Sequence, residues 1–432
     1  MTTQTVFRIV AGANSYDWGK IGKNSKAGQY ARADPEFKFQ EDKPYSELWM
    51  GTHPTLPSKL QSGEKLYDHL QAHPELLGDK VCKQYDGNLP FLFKVLAIEK
   101  ALSIQAHPNK KLAEKLHKER PDVYKDDNHK PEMAIAITPF SGFCNFRPLS
   151  EISTFLSSVP EFASLIPAQA ASALSSSPSD PKSALREVFG ALMSAPSDQI
   201  QSALDQLIKR YESGGTTPVE SEVADLAQTL AKQYPGDVGV FCVFLLNVVK
   251  LNPGEAMFLQ ADEPHAYITG DIIECMATSG KCSQCRPGRI DAQTERRAHS
   301  DINVNLQLGP SRRPTHGTKT VQGRIEVICR IHIPILHYSA LILSDSDSYT
   351  TLYDPPIPEF SVLLTDVPAG KKASHRALDG PSIFIVTSGS GSVSGQEIKS
   401  EGEVWFVGAG QSLEFTAGSE GLLLYRAFVE VA

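Results

Sequence analysis

Long apolar runs are missing from this chain of 432 residues; none reaches the roughly 20 residues that a membrane-crossing helix needs. The stretch from Met1 to Arg8 also lacks the basic-then-apolar layout of a secretion signal. Cysteine is scarce, 7 in all and odd in number, which argues against a disulfide framework and suits a reducing compartment. Charge of one sign is scarce as well. Lys and Arg total 42 against 50 Asp and Glu, a net charge of −8, so the chain as a whole has no attraction for nucleic acid or anionic lipid. These absences predict a cytoplasmic protein with no nucleic-acid and no membrane partner, and a monomer is expected. What is present is material for folding: 41% hydrophobic residues can build sizeable cores, and 21% charged residues are too few for a largely disordered chain. The length favours two or three domains.

Three textures follow one another along the chain. From Val6 to about Pro148, short apolar runs alternate with Gly, Pro and aromatic residues. Within this region Leu89 to Ile98 is an apolar run that a buried strand or a buried helix could equally write. Near Leu149 the composition becomes rich in Ala, Ser and Leu. Leu185, Val188, Phe189 and Leu192 then share one helical face, as do Ile200, Leu204, Leu207 and Ile208, and again Val223, Leu226 and Leu230. Pro181 marks a place where a helix can begin. Strand-like texture is expected again over Val240 to Leu251, and after Thr350 in Phe360–Leu364, Ser382–Thr387, Glu403–Val407 and Gly421–Tyr425, with glycine-rich turns between. The expected fold is mainly β with inserted helices, an antiparallel sandwich or barrel whose similar texture at both ends permits two related β domains.

Three separated stretches carry residue types that bind metal. In a strand, Gln105 and His107 would project from one face and could present an amide oxygen and an imidazole to one ion. A His beside Pro at a strand end is also an ordinary turn residue. Pro131 stiffens the segment bearing Glu132, which could otherwise be a solvated loop carboxylate. His265 follows Pro264 after an apolar run, a position that suits the mouth of a barrel. Cys282 and Cys285 form a CxxC without a second pair at zinc-finger spacing.

Longer motifs carry a resemblance. Tyr16–Lys20, Pro44–Pro54, Leu89–Leu96, Lys100–Lys110, Asn128–Ala134, Leu251–Leu259, Glu263–Tyr267, Gly270–Ala277 and Thr351–Ser361 together closely resemble the type I phosphomannose isomerase family. The resemblance implies two cupin-type jelly-roll domains plus a helical domain, with residues 1–149 and 236–310 as a zinc-binding catalytic cupin, 150–235 as the inserted helical domain and 311–432 as a C-terminal cupin-like domain. It also implies one zinc(II) per chain and a sugar-phosphate substrate. It implies interconversion of mannose 6-phosphate and fructose 6-phosphate through a cis-enediol, feeding GDP-mannose and mannosylation. Matched position by position, the zinc ligands would be Gln105, His107, Glu132 and His265, with Glu274 as base and His129 and Lys130 for ring opening or proton relay. Trp18, Lys100 and Ser103 would line the substrate pocket, although Lys100 and Lys130 also read as ordinary solvated lysines and Trp18 as core.

One stretch departs from the family. Its Arg-Ala-Gly-Leu-Thr-Pro-Lys motif, whose arginine and lysine serve the active site, is replaced here by text running from Ser279 to about Ser348. Arg286 is the nearest arginine. Gly288–Glu295 can be encoded as GGC CGG ATT GAC GCC CAA ACT GAA, and one nucleotide later that string reads Ala-Gly-Leu-Thr-Pro-Lys-Leu. Residues 280–348 are therefore expected to be a frame-shifted reading, with the CxxC an accident. The alternative function is a metal-binding cupin that holds a sugar phosphate but is catalytically impaired for want of that arginine.

Overall fold

A computed structural model describes residues 4–122, 124, 127–176, 178–278 and 349–431. The segment read as frame-shifted, with Arg286, Cys282 and Cys285, lies outside the described residues. The architecture is mainly β with inserted helices, and every strand pairing is antiparallel.

The run around Leu89 resolves as a strand, Phe91–Ile98, with all eight residues buried. A strand covered on both faces needs no alternation, which is why its periodicity was silent. It lies inside an 8-stranded sheet ordered Leu246–Leu251, Phe140–Phe146, His265–Ala277, Phe91–Ile98, Glu47–Met50, Gly12–Asn14. Glu132–Ala136 joins the second half of His265–Ala277 and carries Ala256–Leu259 on its far side. The long strand His265–Ala277 thus pairs with Phe140–Phe146 through its first half and with Glu132–Ala136 through its second. Gly270, at φ +122°, makes the turn between them: a Cβ there would sit 2.8 Å from Phe140 Cα.

The second, 9-stranded sheet runs Thr350–Tyr353, Ser361–Val367, Leu413–Phe428, Ser382–Val393, Val404–Val407, then Val6–Val10 and Lys59–Leu60. The four apolar runs read after Thr350 fall in its strands except for the first residues of two of them, Phe360 and Glu403, which lie just before the strands. The first strand of the chain, Val6–Val10, belongs here and pairs with Val404–Val407. One hydrophobic cluster fills the space between the two sheets, with Leu48, Phe93 and Ile273 from the first and Phe360, Ile383, Phe406 and Tyr425 from the second.

Among the described residues, six helices between Leu149 and Gln233 form a separate core. Pro181 opens one of them, and Asp180 caps it by accepting from Ser183 N at 3.1 Å. Leu185, Val188 and Leu192 are buried on its inner face, as are Ile200, Leu204 and Leu207 on that of Ser197–Glu212. Strand texture over Val240 to Leu251 is only half right. Val238–Phe244 is a 3₁₀ helix, capped by Asp237 on Gly239 N at 2.6 Å, and the strand begins at Leu246. Every residue of that helix is buried in the helical core, so its apolar run carried no period to read. Among the described residues no helix is long and apolar enough to cross a membrane.

Candidate metal centre

Three elements bring the candidate ligands together. Glu132 opens the strand Glu132–Ala136 and His265 opens His265–Ala277. Gln105 and His107 do not lie in a strand as expected; their segment is irregular and pinned by a single bridge, Gln105 to His265. Both backbone hydrogen bonds of that bridge are 2.8 Å, and Asp262 N donates to His107 O at 2.7 Å. Pro108 and the competing partners Tyr267 and Asp262 stop a regular ladder from forming. The bridge still sets Gln105 directly opposite His265, where cross-strand side chains face the same way.

Ligand atoms of His107, Glu132 and His265 all lie within 4.8 Å of one another. His107 Nε2 is 3.4 Å from Glu132 Oε1, and His265 Nε2 is 3.3 Å from Glu132 Oε2. A tetrahedral ion with ligands at about 2.1 Å sets neighbouring donors about 3.4 Å apart. His107 Nε2 is buried and makes no hydrogen bond, and His265 Nδ1 contacts the Glu263 carbonyl at 3.0 Å, which leaves Nε2 as the ring's lone-pair nitrogen when neutral. Burial first, then Lys130, pushes the His107 imidazole down to about 4, so it is an uncharged donor at neutral pH. Burial favours the neutral form of Glu132, but Lys130 and the two imidazoles outweigh it and hold the carboxyl well below its ordinary range. The donor set of two imidazoles and one carboxylate fits zinc(II).

Around this centre, Lys130 Nζ lies 2.7 Å from Glu132 Oε1. Glu274 is buried further along the His265 strand; its Oε1 accepts from Tyr267 at 2.8 Å and its Oε2 from Lys94 at 3.0 Å. His129 does not face Glu132: its Nε2 is 2.7 Å from Glu359 Oε1. Trp18 is packed in a core with Leu96, Ile98 and Met257, and Lys100 is half exposed, 4.0 Å from Asp17. Ser103 lines a cleft between the strands and the helices with Tyr234 and Asp237.

The residue that reasoning from sequence missed is Lys94. It sits between Glu274 and, at 3.9 Å, Glu47, with the Trp49 ring 4.8 Å from its ammonium. The signal was there: a lone lysine inside the fully buried strand Phe91–Ile98 must find carboxylates, because an unpaired buried ammonium is prohibitively costly.

Comparisons with known proteins bear on these residues directly. The model of the phosphomannose isomerase type I catalytic domain matches residues 6–149, that of its helical insertion domain residues 159–246, and that of its C-terminal region residues 351–395. A mannose-6-phosphate isomerase of Cryptococcus neoformans is 45% identical over 460 residues, covering 99% of each chain. A crystal structure of a mutant phosphomannose isomerase from Salmonella typhimurium superposes with a TM-score of 0.76 at 26% identity, covering 99% of this chain and 100% of the other. A mannose 6-phosphate isomerase crystallised with zinc and yttrium superposes at 0.74 with 25% identity and the same coverage. Since the family's own models span most of the described residues and a relative matches throughout, the chain belongs to the type I phosphomannose isomerase family of enzymes.

Proposed function

We propose that this chain is a zinc-dependent aldose–ketose isomerase that interconverts mannose 6-phosphate and fructose 6-phosphate through a cis-enediol, supplying GDP-mannose and mannosylation. The observation that carries the reading is the convergence of His107, Glu132 and His265, from three distant stretches, with ligand atoms all within 4.8 Å of one another. Gln105, opposite His265, would be the fourth ligand, with one ion per chain. Bound zinc(II) supplies Lewis-acid stabilisation of the oxygens on which negative charge develops.

The chain's own residues do the rest. Glu274 takes the proton from C2 of the aldose and returns it to C1, and the reverse reaction retraces that path. Tyr267 and Lys94 grip its two oxygens from either side, so the carboxylate is oriented before substrate arrives. Lys130 and His129 move protons at the hydroxyl oxygens during ring opening and enediol formation. Ser103 and Lys100 contact the sugar phosphate from the rim. Arg286, outside the described residues, is the nearest candidate for the family arginine. The enzyme acts as a cytoplasmic monomer.

A second reading has its own observation. The arginine motif of the family is absent from residues 279–348, and losing one transition-state cation lowers turnover by about 10²–10³-fold. The chain as written would then bind zinc and sugar phosphate with little turnover. Zinc analysis of purified protein together with a coupled assay for fructose 6-phosphate separates these outcomes. Absence of stoichiometric zinc would end both readings, while zinc with scant turnover favours the second.

A further inference from the structure

We propose that Glu359, supplied by the C-terminal sheet, is a positioning residue for His129, so that the catalytic segment is incomplete without that sheet. The proposal rests on the reading of His129 as a proton relay and deepens it.

The contact joins two stiffened loops. Glu359 ends the run Pro355-Pro356-Ile357-Pro358, in which each proline fixes its own φ. The run is tethered at both ends, by the strand Thr350–Tyr353 before it and by Phe360, fully buried in the core between the sheets, after it. Tyr85 donates to the Pro358 carbonyl at 3.0 Å and ties the loop to the end of the helix Asp79–Gln84. On the other side, His129 lies between Asn128, which donates to the Thr278 carbonyl at 3.2 Å, and the Lys130-Pro131-Glu132 segment that reaches the metal centre. His129 Nε2 and Glu359 Oε1 meet at 2.7 Å.

Two features argue that this pair does more than fasten the sheets together. A carboxylate can only accept, so the imidazole must present its Nε2–H to Glu359, which leaves Nδ1 as the proton acceptor in the neutral ring. The tautomer and the ring plane are thereby set by a residue 230 positions away. Further, the other oxygen of Glu359 is buried and has no hydrogen-bond partner among the described residues. Burying half of a carboxylate unpaired disfavours folding, and an amide or an apolar side chain would fasten the loops at less cost. Orientation of a proton-transferring imidazole by a carboxylate behind it is the arrangement that makes such a cost useful.

The test is a double-mutant cycle with E359A, H129A and the double variant in the full chain, with E359Q as the conservative change. It reads kcat, KM, bound zinc, melting temperature and the ¹⁵N signature of the His129 ring. We expect E359A to lower kcat by about tenfold or more with KM and zinc content unchanged, and to have no further effect once His129 is removed. The ring should report the Nε2–H tautomer in the unmodified chain, lose it in E359A, and recover it partly, with part of the turnover, in E359Q. Equal losses from E359A with and without His129, a changed melting temperature as the only effect, or an unaltered ring signature would each overturn the proposal. Turnover that survives H129A also overturns it while leaving the isomerase reading standing. An unmodified chain without zinc or turnover fails the isomerase reading instead, and the ring signature then decides the pairing by itself.

Discussion

Each of the two sheets buries histidine beside a cation, and they use it in opposite ways. In the second sheet His375 is wholly buried; its Nε2 lies 3.1 Å from Thr365 Oγ1, and its Nδ1 accepts from Arg426 at 3.0 Å. Arg426 also donates to Ser382 at 2.9 Å, and burial pushes its guanidinium down to about 9. Both ring nitrogens of His375 are engaged within the protein, so no lone pair remains for an ion. In the first sheet His265 uses Nδ1 on a carbonyl while the Nε2 atoms of His107 and His265 converge on one carboxylate. The two sheets therefore hold histidine as a structural group in one case and as a candidate metal ligand in the other, according to where each imidazole's lone pair points and whether a carboxylate stands opposite it.

The comparison can be broken at several points. Replacing Glu132 or His265 with alanine should remove bound zinc and lower turnover at least about a thousandfold, whereas His375→Gln should leave zinc content intact; metal analysis beside the coupled assay checks both. Restoring the family reading of residues 279–348 should raise turnover by about 10²–10³-fold if the arginine is the missing cation; sequencing the transcript between the codons for Met276 and Tyr353 tests the premise directly. Lys94→Met leaves Glu274 and Glu47 facing each other in the core, and should cost about 3–5 kcal/mol of stability, measurable by urea unfolding.

A smaller effect belongs to the second sheet. Burial and Arg426 hold the His375 imidazole well below its ordinary range, so it is neutral when folded. The unfolded chain takes up that proton near pH 6.5, and stability should fall by about 1.4 kcal/mol per pH unit below that value until the native imidazole itself titrates. Unfolding at pH 7 and pH 5 should show His375→Gln with a slope shallower by one proton. Smallest of all, Lys100→Ala removes a half-exposed pair with Asp17 and should change stability by less than about 0.5 kcal/mol; a raised KM in the same variant would place Lys100 on the substrate phosphate.

Much of this was legible before folding. The helices announced themselves by period, because each buries only one stripe of side chains. The strands after Thr350 were visible through their glycine-rich separators. Phe91–Ile98 and Val238–Phe244 were not assignable from pattern, since complete burial erases the contrast between faces. Gln105, His107, Glu132 and His265 were individually weak and gained weight only as parts of long motifs. Lys94 and Glu359 escaped because each derives its meaning from a partner far along the chain, Glu274 in one case and His129 in the other. No local spacing records such a partner.

The pairing of Val6 with Val407 has a consequence for biogenesis. The strand Val6–Val10 finds this neighbour only when the chain has been made as far as Val404–Val407, about 400 residues later, so closing that sheet is a late event of high contact order. A product terminated before Val404 would carry Val6–Val10 as an open edge beside unsealed apolar surface, the kind of ribbon that recruits other chains. Synthesis through Val407 is thus a condition for sealing that edge as well as for catalysis.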